Sequence, residues 1–171
     1  MKLHILAVGG TIDKVYFDAL SDYKIGPPAV SEILQRVKVN FDYDVRQMIS
    51  KDSLDMTDAD RQEILNAVQA HPADHVIITH GTDTMVDTGQ VLKQVLGKTI
   101  VIIGAMQPAI MKLTDADFNL GVAVAAVQAL PQGAYLCMNG RIYNVDQVMK
   151  NRAEGQFQDL FHRQTPLEIP K

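Results

Sequence analysis

Four short stretches, residues 3–8, 75–79, 99–103 and 134–138, are near-continuous runs of apolar, β-prone side chains. A strand with apolar residues on both faces needs cover on both faces, as in a parallel sheet packed between helices. A fifth run, 43–49, alternates polar and apolar residues and fits a place nearer an edge. Helical segments fit between the runs. Residues 28–39 open on proline, which suits a first turn, and carry Val30, Ile33, Leu34 and Val37. The next helix opens with Thr57-Asp58-Ala59-Asp60, a capping box with Asp in place of Glu, followed by an apolar stripe of Ile64, Leu65 and Val68. A third spans about 84–96, with Gly97 as its stop and Lys93 and Lys98 placed to favour its C-terminal dipole. After the last run, Asn139-Gly140 signals a hairpin, with 141–145 as the returning strand and 146–151 following it. Alternating strands and helices predict one α/β domain, three layers about a mainly parallel sheet, over residues 1–171 with a polar tail from about 152.

The helix expected over 115–130 is unusual. From Leu120 to Leu130 only Gly121 and Gln128 are not apolar, whereas a surface helix shows a polar stripe. It is expected to be covered on more than one side, either by deep burial in the domain or by a second subunit.

Composition removes several functions. The chain is long enough to bury a core. A net charge of −4 argues against a nucleic-acid partner, which calls for a basic face. No apolar run is long enough to span a membrane. The first ten residues imitate a signal peptide, but their apolar part is too short and runs into a glycine pair, so the default placement is cytoplasmic. The single cysteine, Cys137, sits in an apolar run and reads as a buried structural thiol.

Two segments can carry chemistry. Gly9-Gly10-Thr11-Ile12 follows the first run and His80-Gly81-Thr82-Asp83-Thr84 follows the second, so each places a threonine hydroxyl where a strand ends. Parallel sheets bind ligands beyond the C-terminal ends of their strands, which brings both turns and residues 104–107 to one edge. The glycines allow close backbone approach, and the turn's amides could hold an oxyanion. Taken alone, the first segment favours an ordinary βα turn with a capping threonine, because short motifs match freely. A threonine needs a proton acceptor to become a nucleophile; Lys150, Tyr23 and Asp83 are the available activators. His80 is either a base or a satisfied structural histidine. None of the five histidines (4, 71, 75, 80 and 162) forms a helical pair or joins a cysteine cluster, so no metal site is expected. No glycine-rich phosphate loop is present, which removes the usual fingerprints of dinucleotide and nucleoside-triphosphate binding.

The two threonine segments resemble the signature motifs of the bacterial-type L-asparaginases. Ser21-Asp22-Tyr23-Lys24-Ile25-Gly26 resembles that family's mobile, tyrosine-bearing loop. Asp52-Ser53-Leu54-Asp55-Met56 is similar to its substrate-gripping Ser-Gln-Asp-Met segment, and Ile103-Gly104-Ala105-Met106-Gln107-Pro108 to its Gly-Ala-Met-Arg-Pro segment. Asp117-Phe118-Asn119-Leu120 and Val145-Asp146-Gln147-Val148-Met149-Lys150 complete an ordered set. The resemblance implies the fold of that family's N-terminal domain and cofactor-free hydrolysis of asparagine to aspartate and ammonia through a threonine acyl-enzyme. It implies Thr11 as nucleophile and Tyr23 as its loop-borne partner, with Thr82, Asp83 and Lys150 as a second group. Gly10, Ser53, Leu54, Thr82, Asp83 and Ala105 would line the substrate, an amino-acid amide. It further implies a homo-oligomer, a dimer or tetramer.

Three departures accompany the resemblance. The chain stops before the family's second domain, which implies a short one-domain form in which an acidic contribution from a neighbouring subunit is absent or replaced, with Asp13 as the stand-in. Leu54 stands at the family's glutamine and removes a polar contact to substrate, a loss of about 1 kcal/mol or more. Gln107 stands at its arginine, which bears on local packing. Asparaginase is the leading expectation. A glutaminase, an ammonia-supplying amidotransferase subunit, and a catalytically silent amino-acid sensor are the alternatives.

Overall fold

The computed structural model describes residues 1–18 and 21–160. Its centre is a six-stranded sheet in the order β4-β1-β5-β6-β7-β8. These strands are β1 (Lys2–Gly9), β4 (Asp42–Lys51), β5 (His75–Thr79), β6 (Thr99–Ile103), β7 (Gly133–Met138) and β8 (Arg141–Asn144). The first five run parallel; β8 returns antiparallel to β7 through the Asn139-Gly140 turn, in which both residues take positive φ. The alternating strand β4 is the edge, as its pattern predicts.

The continuous apolar runs feed two cores. Leu6, Val8, Val76, Ile78, Ile100, Ile102, Leu136 and Met138 pack with α2 (Asp58–Ala70) and α3 (Met85–Leu92). Leu3, Ile5, Ile77, Val101, Ile103 and Cys137 pack on the other face with α1 (Ala29–Val37) and α4 (Ala116–Ala129). Successive residues of each run thus point into different layers, and each fully buried Leu or Ile is worth about 1.5–3 kcal/mol of transfer free energy. Cys137 lies wholly inside, and burial pushes its thiol up to about 12, in keeping with a structural role.

Local signals hold at the helix starts. Thr57 Oγ1 accepts the Asp60 N–H at 3.2 Å while Asp60 Oδ2 accepts the Thr57 N–H at 2.8 Å, a reciprocal capping box. The ends depart from expectation. α1 stops at Val37 because Lys38 turns left-handed (φ 52°), and the Val39 N–H returns to the Leu34 carbonyl, bringing Val39 onto the core. α3 ends at Leu92, four residues early. The Val95 N–H bonds to the Leu92 carbonyl in a tight turn that buries Val95 and leaves Leu96 outside.

α4 corrects a second expectation. Ala116, Asn119, Leu120, Ala123, Ala126 and Val127 face the sheet, but Phe118, Gly121 and Ala125 are exposed. The helix is covered on one side within this chain, so deep burial is not the reason for its composition.

Two hairpins were not foreseen. The segment expected as a mobile loop is a strand: β3 (Asp22–Ile25) pairs antiparallel with β2 (Lys14–Phe17). Its cross-strand contacts explain this. Tyr16 meets Tyr23 edge-on at 5.7 Å, and Lys24 lies 4.7 Å over the Phe17 ring. The expected tail from 152 likewise contains β10 (Gln156–Asp159), paired with β9 (Val148–Asn151). Phe157 enters the core there, and the Tyr143 hydroxyl donates to its carbonyl at 2.8 Å. Of the tail and histidine expectations, His162, Pro166 and Pro170 lie outside the described residues.

Candidate active site

The C-terminal ends of β1, β5 and β6 converge. β1 closes on Gly9 and Gly10, both at positive φ (95° and 88°), and Thr11 begins a single 3-10 turn, Thr11–Asp13. The Gly10 amide donates to the Lys51 carbonyl of β4 at 3.1 Å. A side chain on Gly10 would collide with the backbone of Gly81, so the two threonine turns abut main chain to main chain. Gly81 is in turn pressed on Ser53: an added Cβ would stand 2.6 Å from Ser53 Oγ.

The second turn is tightly wired. Lys150, brought in on β9, donates from Nζ to Thr82 Oγ1 at 2.8 Å and to Asp83 Oδ1 at 2.7 Å. Its side chain is only 11% exposed, and its position is set by pairing with buried Phe157 across the β9–β10 ladder. Ser53 is buried; its Oγ accepts the Asp83 N–H at 3.2 Å and its carbonyl accepts the Thr84 hydroxyl at 2.7 Å. Asp52, which precedes it, is held by Lys14 of the β2–β3 hairpin at 2.7 Å. That hydrogen bond is the main reason the Asp52 carboxyl lies below its usual range.

His80 is resolved as structural. Its Nδ1 donates to the Gly81 carbonyl at 2.8 Å, so Nε2 accepts the Thr88 hydroxyl at 2.7 Å. Burial foremost pushes its pKa down to about 4, which keeps the ring neutral near pH 7.

The first turn is looser. Tyr23 is 41% exposed on β3, and among the described residues no hydrogen bond joins it to Thr11. The hairpin base is fixed by the Gly26 N–H to the Asp13 carbonyl (2.7 Å) and by Gln47 Nε2 to the Gly26 carbonyl (3.2 Å). Asp13 itself is committed elsewhere: its buried Oδ1 accepts the Ala29 N–H at 2.9 Å and caps α1. Desolvation raises it to about 6, against that hydrogen bond. It is therefore committed to α1 rather than free to stand in for the neighbouring subunit's acid. Leu54 projects into solvent, 65% exposed.

Ala105 is buried beyond β6, and its loop is held by residues that motif reading left without a role. Asn119 Nδ2 donates to the Gly104 carbonyl at 3.0 Å, and Asp115 accepts the Met106 and Gln107 amides at 2.9–3.1 Å. The signal for Asn119 was present: a wholly buried amide on an otherwise apolar helix face needs partners. Lys14 and Asp52 carried no such signal.

The chain and its fold have known relatives. The family model described as Asparaginase, N-terminal, matches residues 2–163. A probable periplasmic L-asparaginase of Haemophilus influenzae is 32% identical over 160 residues, covering 87% of this chain and 46% of that protein. The thermostable L-asparaginase from Thermococcus kodakarensis superposes with a TM-score of 0.79 at 26% identity, over 93% of this chain and 51% of that one. A probable cytoplasmic L-asparaginase from Campylobacter jejuni gives 0.74 at 26% identity, over 92% and 51%. The chain spans about half the length of the curated relatives it matches.

Proposed function

The chain belongs to the asparaginase N-terminal family, and on that premise we propose that it hydrolyses L-asparagine to L-aspartate and ammonia. One observation carries the proposal. Lys150 Nζ sits between Thr82 Oγ1 and Asp83 Oδ1, on a turn whose glycine is packed against the turn that bears Thr11.

In the proposed sequence, Thr11 Oγ attacks the side-chain amide carbon. The new C–O bond produces a tetrahedral oxyanion, stabilised by the backbone N–H of Thr11, since the Gly10 N–H is held by the Lys51 carbonyl. Tyr23 takes the hydroxyl proton and passes it to the nitrogen as the C–N bond breaks, so the hairpin must bring the phenol to Thr11 when substrate binds. Ammonia leaves, and water then cleaves the threonine ester. Lys150 and Asp83 hold Thr82 in place for the proton path. Among the described residues no hydrogen bond engages Asp83 Oδ2, which is left to meet the α-amino group. Ser53 Oγ already accepts an N–H, and its own proton is left for the α-carboxylate. The Ala105 carbonyl receives the side-chain amide. Leu54 supplies no polar contact, so binding is weaker by about 1 kcal/mol than with a hydrogen-bonding side chain there.

Steady-state ammonia release with asparagine and with glutamine tests this. Turnover of asparagine is expected. Turnover of glutamine alone would make the chain a glutaminase or an amidotransferase's ammonia source, and calorimetric binding of asparagine without turnover would make it a sensor. No ammonia at millimolar amide sinks the enzyme proposal.

The exposed apolar side of α4 supports a homo-oligomer, a dimer or tetramer, and a strict monomer by light scattering at micromolar concentration would remove that proposal. Among the described residues no helix is long and apolar enough to cross a membrane. Of the three named relatives, one is described as periplasmic and one as cytoplasmic. The cytoplasmic placement is a proposal, tested by cell fractionation.

A further inference from the structure

Every residue of β1 from Leu3 to Gly9 is buried, and His4 is its polar exception. It stands opposite Asp44 of β4, with Nδ1 at 2.6 Å from Asp44 Oδ2. His71, the residue that ends α2, lays its ring on that of His4, centroids 3.6 Å apart and 11° from parallel. The other carboxylate oxygen, Asp44 Oδ1, is buried without a hydrogen-bond partner and lies 3.7 Å from His71 Nε2. Three elements distant in the chain thus bring two imidazoles and a carboxylate together, their ligand atoms all within 4.8 Å of one another. Sequence spacing had shown no histidine pair.

We propose that His4, Asp44 and His71 bind one divalent transition-metal ion of the Zn²⁺ or Co²⁺ class, at the end of the sheet opposite the threonine turns. Two imidazoles and one carboxylate are a donor set for these ions. Bond lengths of about 2.0–2.2 Å put neighbouring ligands on one ion roughly 3–3.4 Å apart, a few tenths closer than Asp44 Oδ1 and His71 Nε2 now stand. The unpartnered oxygen thereby gains the contact it lacks. Asp44 (43%) and His71 (22%) are partly exposed, which gives the ion a way in and water to fill its remaining positions.

Loading the ion requires a defined rearrangement. His71 Nδ1 now accepts the Ala73 N–H at 3.2 Å, so the ring proton is on Nε2. With metal at Nε2 that proton moves to Nδ1, the Ala73 amide is released, and the rings swing out of their stack. His4 makes the corresponding exchange, metal at Nδ1 and proton at Nε2. Lys98 keeps the turn in place by donating to the His71 and Ala73 carbonyls at 2.6 and 2.7 Å. The positive charges of Lys2 and Lys98 bear on His71 and act against a bound cation.

The test is isothermal titration of the full, tag-free, chelator-stripped protein with Zn²⁺ and Co²⁺ near neutral pH. One ion per chain is expected, with visible d–d bands for Co²⁺ and a shift of the Ala73 amide resonance. Asp44→Asn and His71→Gln should each weaken binding at least about tenfold. His4→Leu should do the same, and the first two variants carry the test if it does not fold. No binding at a hundred-micromolar Zn²⁺, or one-to-one binding unchanged in Asp44→Asn and His71→Gln, overturns the proposal.

Discussion

The two threonine turns touch, yet they are built differently. The second is part of the core: Thr82 and Ser53 are buried, and Lys150, Asp83 and Ser53 are linked across three separate segments. The first sits at the root of a peripheral hairpin whose tyrosine is exposed. The sheet's own packing makes the half proposed to orient substrate. The hairpin beside the half proposed to attack hangs on a few polar ties, Lys14 to Asp52 and Gly26 to Asp13 and Gln47. The mobility that the proposed reaction needs to admit substrate is easiest in a segment with few buried apolar contacts.

Four experiments can break or sharpen this contrast. The largest effect is expected in activity. Thr11→Ala and Lys150→Met should each lower kcat by about 10³-fold or more, measured as ammonia release. They should differ in stability. Thr11→Ala should leave the urea midpoint almost unchanged, whereas Lys150→Met strands the Asp83 carboxylate and should lower it. Equal stability would mean the two halves are alike. Next, Gly10→Ala should cost about 2–4 kcal/mol in urea unfolding, because a Cβ there meets Gly81 main chain at a positive φ.

The third concerns pH. The Asp13 carboxyl is raised in the fold from 3.8 to about 6 by burial. The native state therefore holds a proton that the unfolded chain releases earlier, so this group's stability contribution is present below pH 4. It is lost as pH rises through 6, a fall of about 2–3 kcal/mol. Asp13→Asn should flatten that fall while still accepting the Ala29 amide, as a comparison of unfolding at pH 4 and pH 8 would record. A wild-type curve with no such fall would show Asp13 to be solvated. The smallest effect is Lys14→Met. Both partners of the Lys14–Asp52 pair are about one-third exposed, so stability should move by less than about 1 kcal/mol. KM for asparagine should rise several-fold if the pair steadies the hairpin over the Ser53 turn, and an unchanged KM would leave the hairpin untied from that turn.

Much of the scaffold was legible because it is written locally. A strand covered on both faces must be apolar throughout, and Thr57 followed by Asp60 caps a helix wherever it lies. What escaped depends on pairing and packing partners that the residues themselves do not announce. α3 ends early because Val95 is wanted in the core, and no residue near it says so. The composition of α4 is the same whether its outer side meets this chain, another, or water. The hairpin strand at Tyr23 rests on pairing with Tyr16, and the His4–Asp44–His71 group rests on the register of β1 against β4. At the site itself, motifs pointed to Thr11, Thr82, Asp83 and Lys150, and the structure joins the last three directly. They did not foretell that Asp13 is taken up by α1.

The contact between Gly10 and Gly81 has a consequence for any attempt to remodel this protein by selection. Most crowded pairs can be relieved by trimming one partner after the other has grown. Here neither partner has an atom to give up, so the seam admits no compensating second change. Variation will have to go around it, through the residues that border the seam, Ser53 and Lys51 first.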